Sequence, residues 1–338
     1  APTPSGFVGF SVILAGNGAP IWYKRTDSVV IDMKLRSDGR LIYTPLLGTA
    51  YGVDATRGYR VTSLAGTLVD EQFTVNPGAN PVDHHDYVEL SNGGRAMVAY
   101  PLKTNVNMTA MVDPSYTSNE WMVDGVIQEI NAAGQLVWSW TVDDHFGYGE
   151  VTFPQRFQQY LGAPNGGEVD PWHINSIDRV ADGSGDYVVS MRHLDAIARV
   201  DRATGDVDWI LGSLPTNAPQ ESGAPRLTIV GDPLGGPRRP HDARMNGDVL
   251  TMLDNRTGTG QPARAVAYRI DANAGTATLL WQISNPTGLS SPGLGSNRAF
   301  GYETSLNDLC SLNIITVIVQ GGGPVRGASC GLGQFVPY

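Results

Sequence analysis

Ile174-Asn175-Ser176-Ile177-Asp178-Arg179-Val180, then Asp182-Gly183-Ser184-Gly185, then Tyr187-Val188-Val189-Ser190: two apolar runs flank a glycine turn, the pattern of a β-hairpin. A second hairpin follows at once, with Ala198-Arg199-Val200-Asp201-Arg202, the turn Thr204-Gly205, and Val207-Asp208-Trp209-Ile210. Asp-Gly and Asn-Gly pairs accept the positive φ that tight turns demand. Two hairpins in succession predict a four-stranded antiparallel sheet, which is one blade of a β-propeller.

The same two halves recur along the chain. The first half returns at Val29 to Leu35 with Leu41-Ile42-Tyr43, at Asp86 to Leu90 with Ala96-Met97-Val98, and at His241 to Met245 with Val249 to Met252. The second half returns at Val126 to Ile130 with Leu136 to Trp140, and at Ala267 to Asp271 with Ala277 to Trp281. An isolated second half, Phe10 to Leu14 and Pro20 to Tyr23, stands near the start. Strands lent from there to the C-terminal blade would remove an open sheet edge. The fold class predicted is therefore all-β, a single β-propeller domain over 1–338. At least five units are visible and six are expected, because the gaps at 101–122 and 141–170 have room for another blade. A short helix is expected near Pro154 to Leu161.

Composition narrows the function. The formal charge is −10, and the 23 basic residues comprise three lysines (Lys24, Lys34, Lys103) and 20 arginines, which argues against a nucleic-acid-binding surface. No stretch has the ~20 apolar residues that a membrane span needs. The start at Ala1-Pro2-Thr3-Pro4, without Met, resembles a processed secretory chain, so a secreted or periplasmic protein is expected. Cys310 and Cys330 are candidates for one disulfide in such a compartment.

Five of the six histidines fall in Asp83-His84-His85-Asp86, Pro171-Trp172-His173-Ile174-Asn175, Ser190-Met191-Arg192-His193 and Arg239-Pro240-His241-Asp242. These stretches occupy the same point of the repeat, so His85, His173, Arg192 and His241 would converge in a ring of blades. A neutral imidazole serves as nucleophile, general base or metal ligand. The arginine fork matches a pair of sulfate or phosphate oxygens. Such a cage suits an anionic oxyester better than a hard cation, and no metal or cofactor is expected. Asp86 and Asp242 are candidates for orienting the imidazoles, although neighbours in a strand point to opposite faces. By that rule His84 should turn away from His85.

With those residues in place, a family resemblance emerges. His84-His85-Asp86, Trp172 to Asp178, Ser190 to Ile197, Asp208 to Gly212, His241-Asp242-Ala243-Arg244, Leu253-Asp254-Asn255 and Arg264-Ala265-Val266 together resemble the arylsulfotransferase family, over roughly residues 6–300. The resemblance implies a six-bladed propeller that moves a sulfuryl group from a phenolic sulfate ester to an acceptor phenol without a nucleotide donor, by a ping-pong cycle through sulfohistidine. It implies His241 as nucleophile, His173 and Arg192 as stabilisers of the sulfuryl oxygens and developing phenolate, and His85 as the group that exchanges the phenolic proton. Asn175 would hold a neighbouring side chain or the sulfate, and Trp172 would pack in a blade or carry the phenol. Arg238-Arg239-Pro240, Leu211-Gly212-Ser213 and the divergent tail from about residue 305 depart from the pattern. The extra N-terminal strand domain of larger bacterial enzymes is not seen, so a monomer is expected.

Other readings use the same residues. A secreted propeller is also a binding module for a glycan or small anion, a polysaccharide lyase would use His and Tyr, and imidazoles with Asp86 and Asp242 would bind a divalent metal. His85 alone is equally a structural histidine, and His145 and His193 read as ordinary polar residues.

Overall fold

The structure, a computed structural model, describes residues 7–14, 19–26, 30–45, 56–215, 218–285, 288–291, 293, 295–297 and 313–320. Among these residues the strands form six sheets and no α-helix. The chain divides into two compact units, one of residues 1–100, 128–138 and 299–338 and the other of 101–127 and 139–298. No helix of the described residues is long and apolar enough to cross a membrane. Cys310, Cys330 and most of the divergent tail lie outside the described residues.

In the first unit the hairpins expected from the sequence are present. Val30–Leu35, Leu41–Pro45, Tyr59–Thr62 and Leu68–Gln72 form one antiparallel sheet, and Val82–Glu89, Arg95–Ala99, Val126–Ile130 and Leu136–Thr141 are ordered along a second. The turns work as read: Gly39 and Gly134 have φ of +77° and +81°, values that cost an L-residue but not glycine. Ile42, Tyr59, Val61, Val82, Tyr87, Met97 and Ile130 pack together as a core. A third sheet places Phe7–Leu14 between Pro20–Thr26 and Asn313–Gln320, antiparallel to both. The N-terminal hairpin therefore does pair with the C-terminal segment.

The second unit holds the regular sheet Ile174–Arg179, Tyr187–Met191, Ala196–Val200 and Val207–Gly212. Beside it runs a five-stranded sheet of Pro240–Asn246, Val249–Asp254, Arg264–Asp271, Thr276–Ser284 and the parallel edge strand Thr228–Val230. Val188, Ile197, Leu211, Ala243, Leu250, Met252, Val266 and Tyr268 are fully buried in one cluster drawn from both sheets. Each such aliphatic side chain stabilises the fold by roughly 1.5–3 kcal/mol.

The two unexplained gaps supply one further sheet, ordered Gln155–Phe157, Glu168–Asp170, Glu120–Val123, Leu102–Val106. Its middle pair is parallel, so this blade-like sheet is not a pair of consecutive hairpins. It also corrects the helix expected near Pro154 to Leu161. Residues Gln155–Phe157 pair as a strand with Glu168–Asp170, and Arg156 forks onto Glu120 at 2.8 and 3.0 Å. Those pairings override any local helical preference.

Candidate active site

The first hairpin of four sheets carries the same irregularity. Strand pairing slips between Ile31 and Lys34, between Val82 and Tyr87, between Ile174 and Ser176, and between His241 and Arg244. A bulge of this kind bends the strand and re-aims its side chains. In three of the four, a residue other than glycine takes a left-handed backbone: Asp32 (φ 50°), His173 (φ 50°) and Asp242 (φ 55°). His84, His85 and His241 lie at these slips, and His173 immediately precedes one.

The bulge reverses one expectation. His84 does not turn away from His85; the two rings stack with centroids 4.1 Å apart and planes at 29°. The strict alternation that would separate them is broken by the slip between Val82 and Tyr87. Asp86 pairs with Lys34, and Asp242 accepts from Arg244 at 2.7 Å and from the Asn297 amide at 2.9 Å. Other oxygens meet the imidazoles at Nδ1. Nδ1 of His85 is 2.8 Å from Asp83 Oδ1, Nδ1 of His173 is 2.5 Å from Asp170 Oδ2, and Nδ1 of His241 is 2.8 Å from Asn255 Oδ1. An oxygen acceptor at Nδ1 places the proton there and the lone pair on Nε2. The three candidate histidines thus share one tautomer.

In the second unit His173 is part of a larger cluster. Its ring stacks on His193 at 4.6 Å and 30°, and Arg192 Nη1 lies 2.8 Å from His193 Nε2. A guanidinium only donates, so His193 Nε2 accepts, and its Nδ1–H donates to the Asp170 carbonyl at 2.7 Å. His193 is fully buried and serves as a strut between Arg192 and Asp170. The Arg192 guanidinium carbon stands 5.2 Å from the centre of the Phe153 ring, and that of Arg239 stands 4.3 Å from the same centre. His241, 3% exposed, follows Pro240, whose carbonyl accepts from Asn175 Nδ2 at 2.7 Å.

Charge follows from burial. Desolvation, and then the neighbouring Arg192, push the His173 imidazole down to about 3, against the pull of the Asp170 carboxylate at Nδ1. His193 is held well below its ordinary value by burial and by the charges of His173 and Arg192. Both rings are neutral at pH 7. The deeper layer is ionic: Arg264 binds Asp254 and Asp232 at 2.8 Å with none of the three side chains exposed where the pairs meet, and Arg256 holds Asp254 at 2.9 Å. Asn255 sits between Asp254 and Arg256 in sequence, so this network fixes the amide that orients His241.

Asp83, His84 and His85 bring three ligand-capable atoms within 4.8 Å of one another, as do Asp170, His173 and His193. In the second group His193 is already engaged at both nitrogens, by Arg192 and by the Asp170 carbonyl. The second cluster therefore orients an imidazole better than it would cage an ion. Any metal reading would draw on Asp83 and Asp170, not on Asp86 and Asp242.

The structure also sorts the remaining candidates. Trp172 has no exposed surface and stacks on Tyr148 at 5.4 Å, so it packs the interior rather than meeting a substrate. Asn175 is 5% exposed and holds the backbone beside His241, while its Oδ1 has no hydrogen-bond partner among the described residues. Asp170, His193 and Asn255 are functional candidates that sequence reasoning missed. Asn255 had a signal, the motif Leu253-Asp254-Asn255. The cavity of about 660 Å³ lined by Arg36, Asp70, Tyr87 and Arg95 contains none of the candidate histidines.

The arylsulfotransferase (ASST) family profile matches residues 5–291, most of the chain. The protein belongs to the arylsulfotransferase family. Membership assigns it to a family of aryl sulfotransferases, for which an aryl sulfate donor and a phenolic acceptor are fitting substrates. No curated protein matches it. Among solved structures, it is similar to a Bacteroides caccae protein of unknown function, at 11% identity over 84% of this chain and 96% of that one, with a TM-score of 0.37. It is similar also to virginiamycin B lyase from Staphylococcus aureus, at 11% identity over 77% and 71% with a TM-score of 0.36, and to a putative hydrolase from Bacteroides ovatus, at 11% over 91% and 83% with a TM-score of 0.35.

Proposed function

We propose that this arylsulfotransferase works as a six-bladed β-propeller and transfers a sulfuryl group by a ping-pong cycle through His241. In the first step Nε2 of His241 attacks sulfur, the S–O ester bond breaks, and the departing phenolate takes the Nε2 proton of a protonated His85, which is left with its remaining proton on Nδ1 facing Asp83. In the second step the acceptor phenol gives its proton to His85, its oxygen attacks sulfur, and the N–S bond breaks. A histidine nucleophile divides one hard displacement into two easier ones. Arg192 holds the sulfuryl oxygens and leaving oxygen; His173 joins it by taking up a proton from solvent as the anionic donor binds, with Asp170 placed to hold the imidazolium.

The observation that carries this reading is the shared tautomer. His241, His173 and His85 each have Nδ1 against an oxygen acceptor, which presents Nε2 as the reactive nitrogen. The test is intact-protein mass after exposure to p-nitrophenyl sulfate. A sulfuryl adduct localised to His241, and nitrophenolate release that depends on added phenol, are expected. An adduct elsewhere, or its persistence in His241→Ala, would overturn the assignment.

A further inference from the structure

Asp195 has no part in the cycle above, yet it ties together two segments that carry it. It ends the tight turn Arg192–Leu194 with a left-handed backbone (φ 52°), and its side chain is completely buried. Its carboxylate reaches the segment leading into His241. Oδ1 accepts from the Arg239 amide at 2.7 Å, and Oδ2 accepts from Arg239 Nη1 at 2.9 Å and from Arg238 Nη1 at 3.1 Å. The preceding amide, Arg238 N–H, is taken by Asp254 at 2.8 Å. Two buried carboxylates thus seize successive backbone amides just before the nucleophile, and Arg239 is held left-handed (φ 55°) as a result. The Arg238-Arg239-Pro240 departure from the family pattern is therefore a clamped approach.

We propose that Asp195 is a positioning residue for sulfuryl transfer, fixing the backbone entering His241 relative to the Arg192 turn and tethering the Arg238 and Arg239 guanidiniums, offsetting one of their two charges, so that Arg192 remains the cation offered to the sulfuryl group. This rests on His241 as the attacking residue. Two consequences separate in kinetics. Position governs kcat, because a misplacement of about 1 Å costs on the order of 10²-fold. Charge governs donor affinity, because a guanidinium released from its carboxylate attracts an anion.

Asp195→Asn removes the charge and weakens the clamp; Asp195→Glu keeps the charge but misplaces the carboxylate. With p-nitrophenyl sulfate and phenol, Asp195→Asn should lower kcat about 10- to 100-fold while lowering donor KM about 3- to 10-fold. Asp195→Glu should lower kcat by a similar factor with KM unchanged. Unchanged kcat in both, or a KM that rises as kcat falls, overturns the proposal. If Asp195→Asn does not fold, as judged by circular dichroism, Asp195→Glu decides alone; if neither folds, Asp195 is a folding residue and the proposal fails. Wild-type protein that releases no nitrophenolate sinks the parent reading instead, whereas active wild type with unaltered variants sinks only the role of Asp195.

Discussion

The first unit stacks His84 on His85 and the second stacks His173 on His193, with nearly equal geometry: 4.1 Å and 29° against 4.6 Å and 30°. In both, an aspartate just upstream accepts from the backbone amide and from Nδ1 of the same histidine, Asp83 for His85 and Asp170 for His173. The neighbours then diverge. Tyr100 stands 6.1 Å from His85, whereas a buried guanidinium is bonded to His193 and depresses His173. For His85 and His173 orientation is thus encoded within three residues of sequence, while the charge of His173 is set by what folds against it.

Removing the guanidinium would break the contrast most sharply. Arg192→Met should reduce phenol-dependent nitrophenolate release by roughly 10²- to 10³-fold, the cost of one preorganised donor, and Arg192→Lys should be impaired by a smaller factor because a point charge cannot grip two oxygens. Full turnover in Arg192→Lys would make Arg192 a structural support. The shared aspartates test the similarity. Asp170→Asn and Asp83→Asn should each lower kcat by about 10²-fold by favouring the wrong tautomer. A loss in Asp170→Asn alone would separate His85 from the chemistry.

A further effect is on stability in acid. The folded His173 binds its proton at about 3, below the ~6.5 of an unfolded histidine, so the unfolded chain binds more protons in that interval. Its contribution is complete above about pH 6.5 and is lost as pH falls toward 3, by at most ~1.4 kcal/mol per pH unit. Denaturant melts of wild type should weaken between pH 7 and 4, and His173→Gln should weaken less. Parallel curves would show that the ring titrates alike in the folded and unfolded chains.

Much of the fold was legible because each hairpin combines an alternating run with a glycine turn, as at Leu41 to Tyr43 after Gly39. The sheet built from 102–106, 120–123, 155–157 and 168–170 was not. Its strands are as short as three residues, two of them pair in parallel, and they join across intervening loops, so no local period marks them. The candidate histidines were legible from their motifs. Their partners at Nδ1 were not, because adjacency in sequence suggested Asp86 and Asp242, whereas Asp83, Asp170 and Asn255 are brought to the rings by strand slips and by pairing with a neighbouring strand. Burial likewise removed Trp172 from the substrate's reach.

Phe7–Leu14 emerges early from the ribosome, but its neighbour Asn313–Gln320 is synthesised roughly 300 residues later. At about 5–20 residues per second the strand waits some 15–60 s with one side unpaired. During translation it is a sticky edge, so a chain stalled before residue 313 is the form of this protein most exposed to chaperone capture and to aggregation.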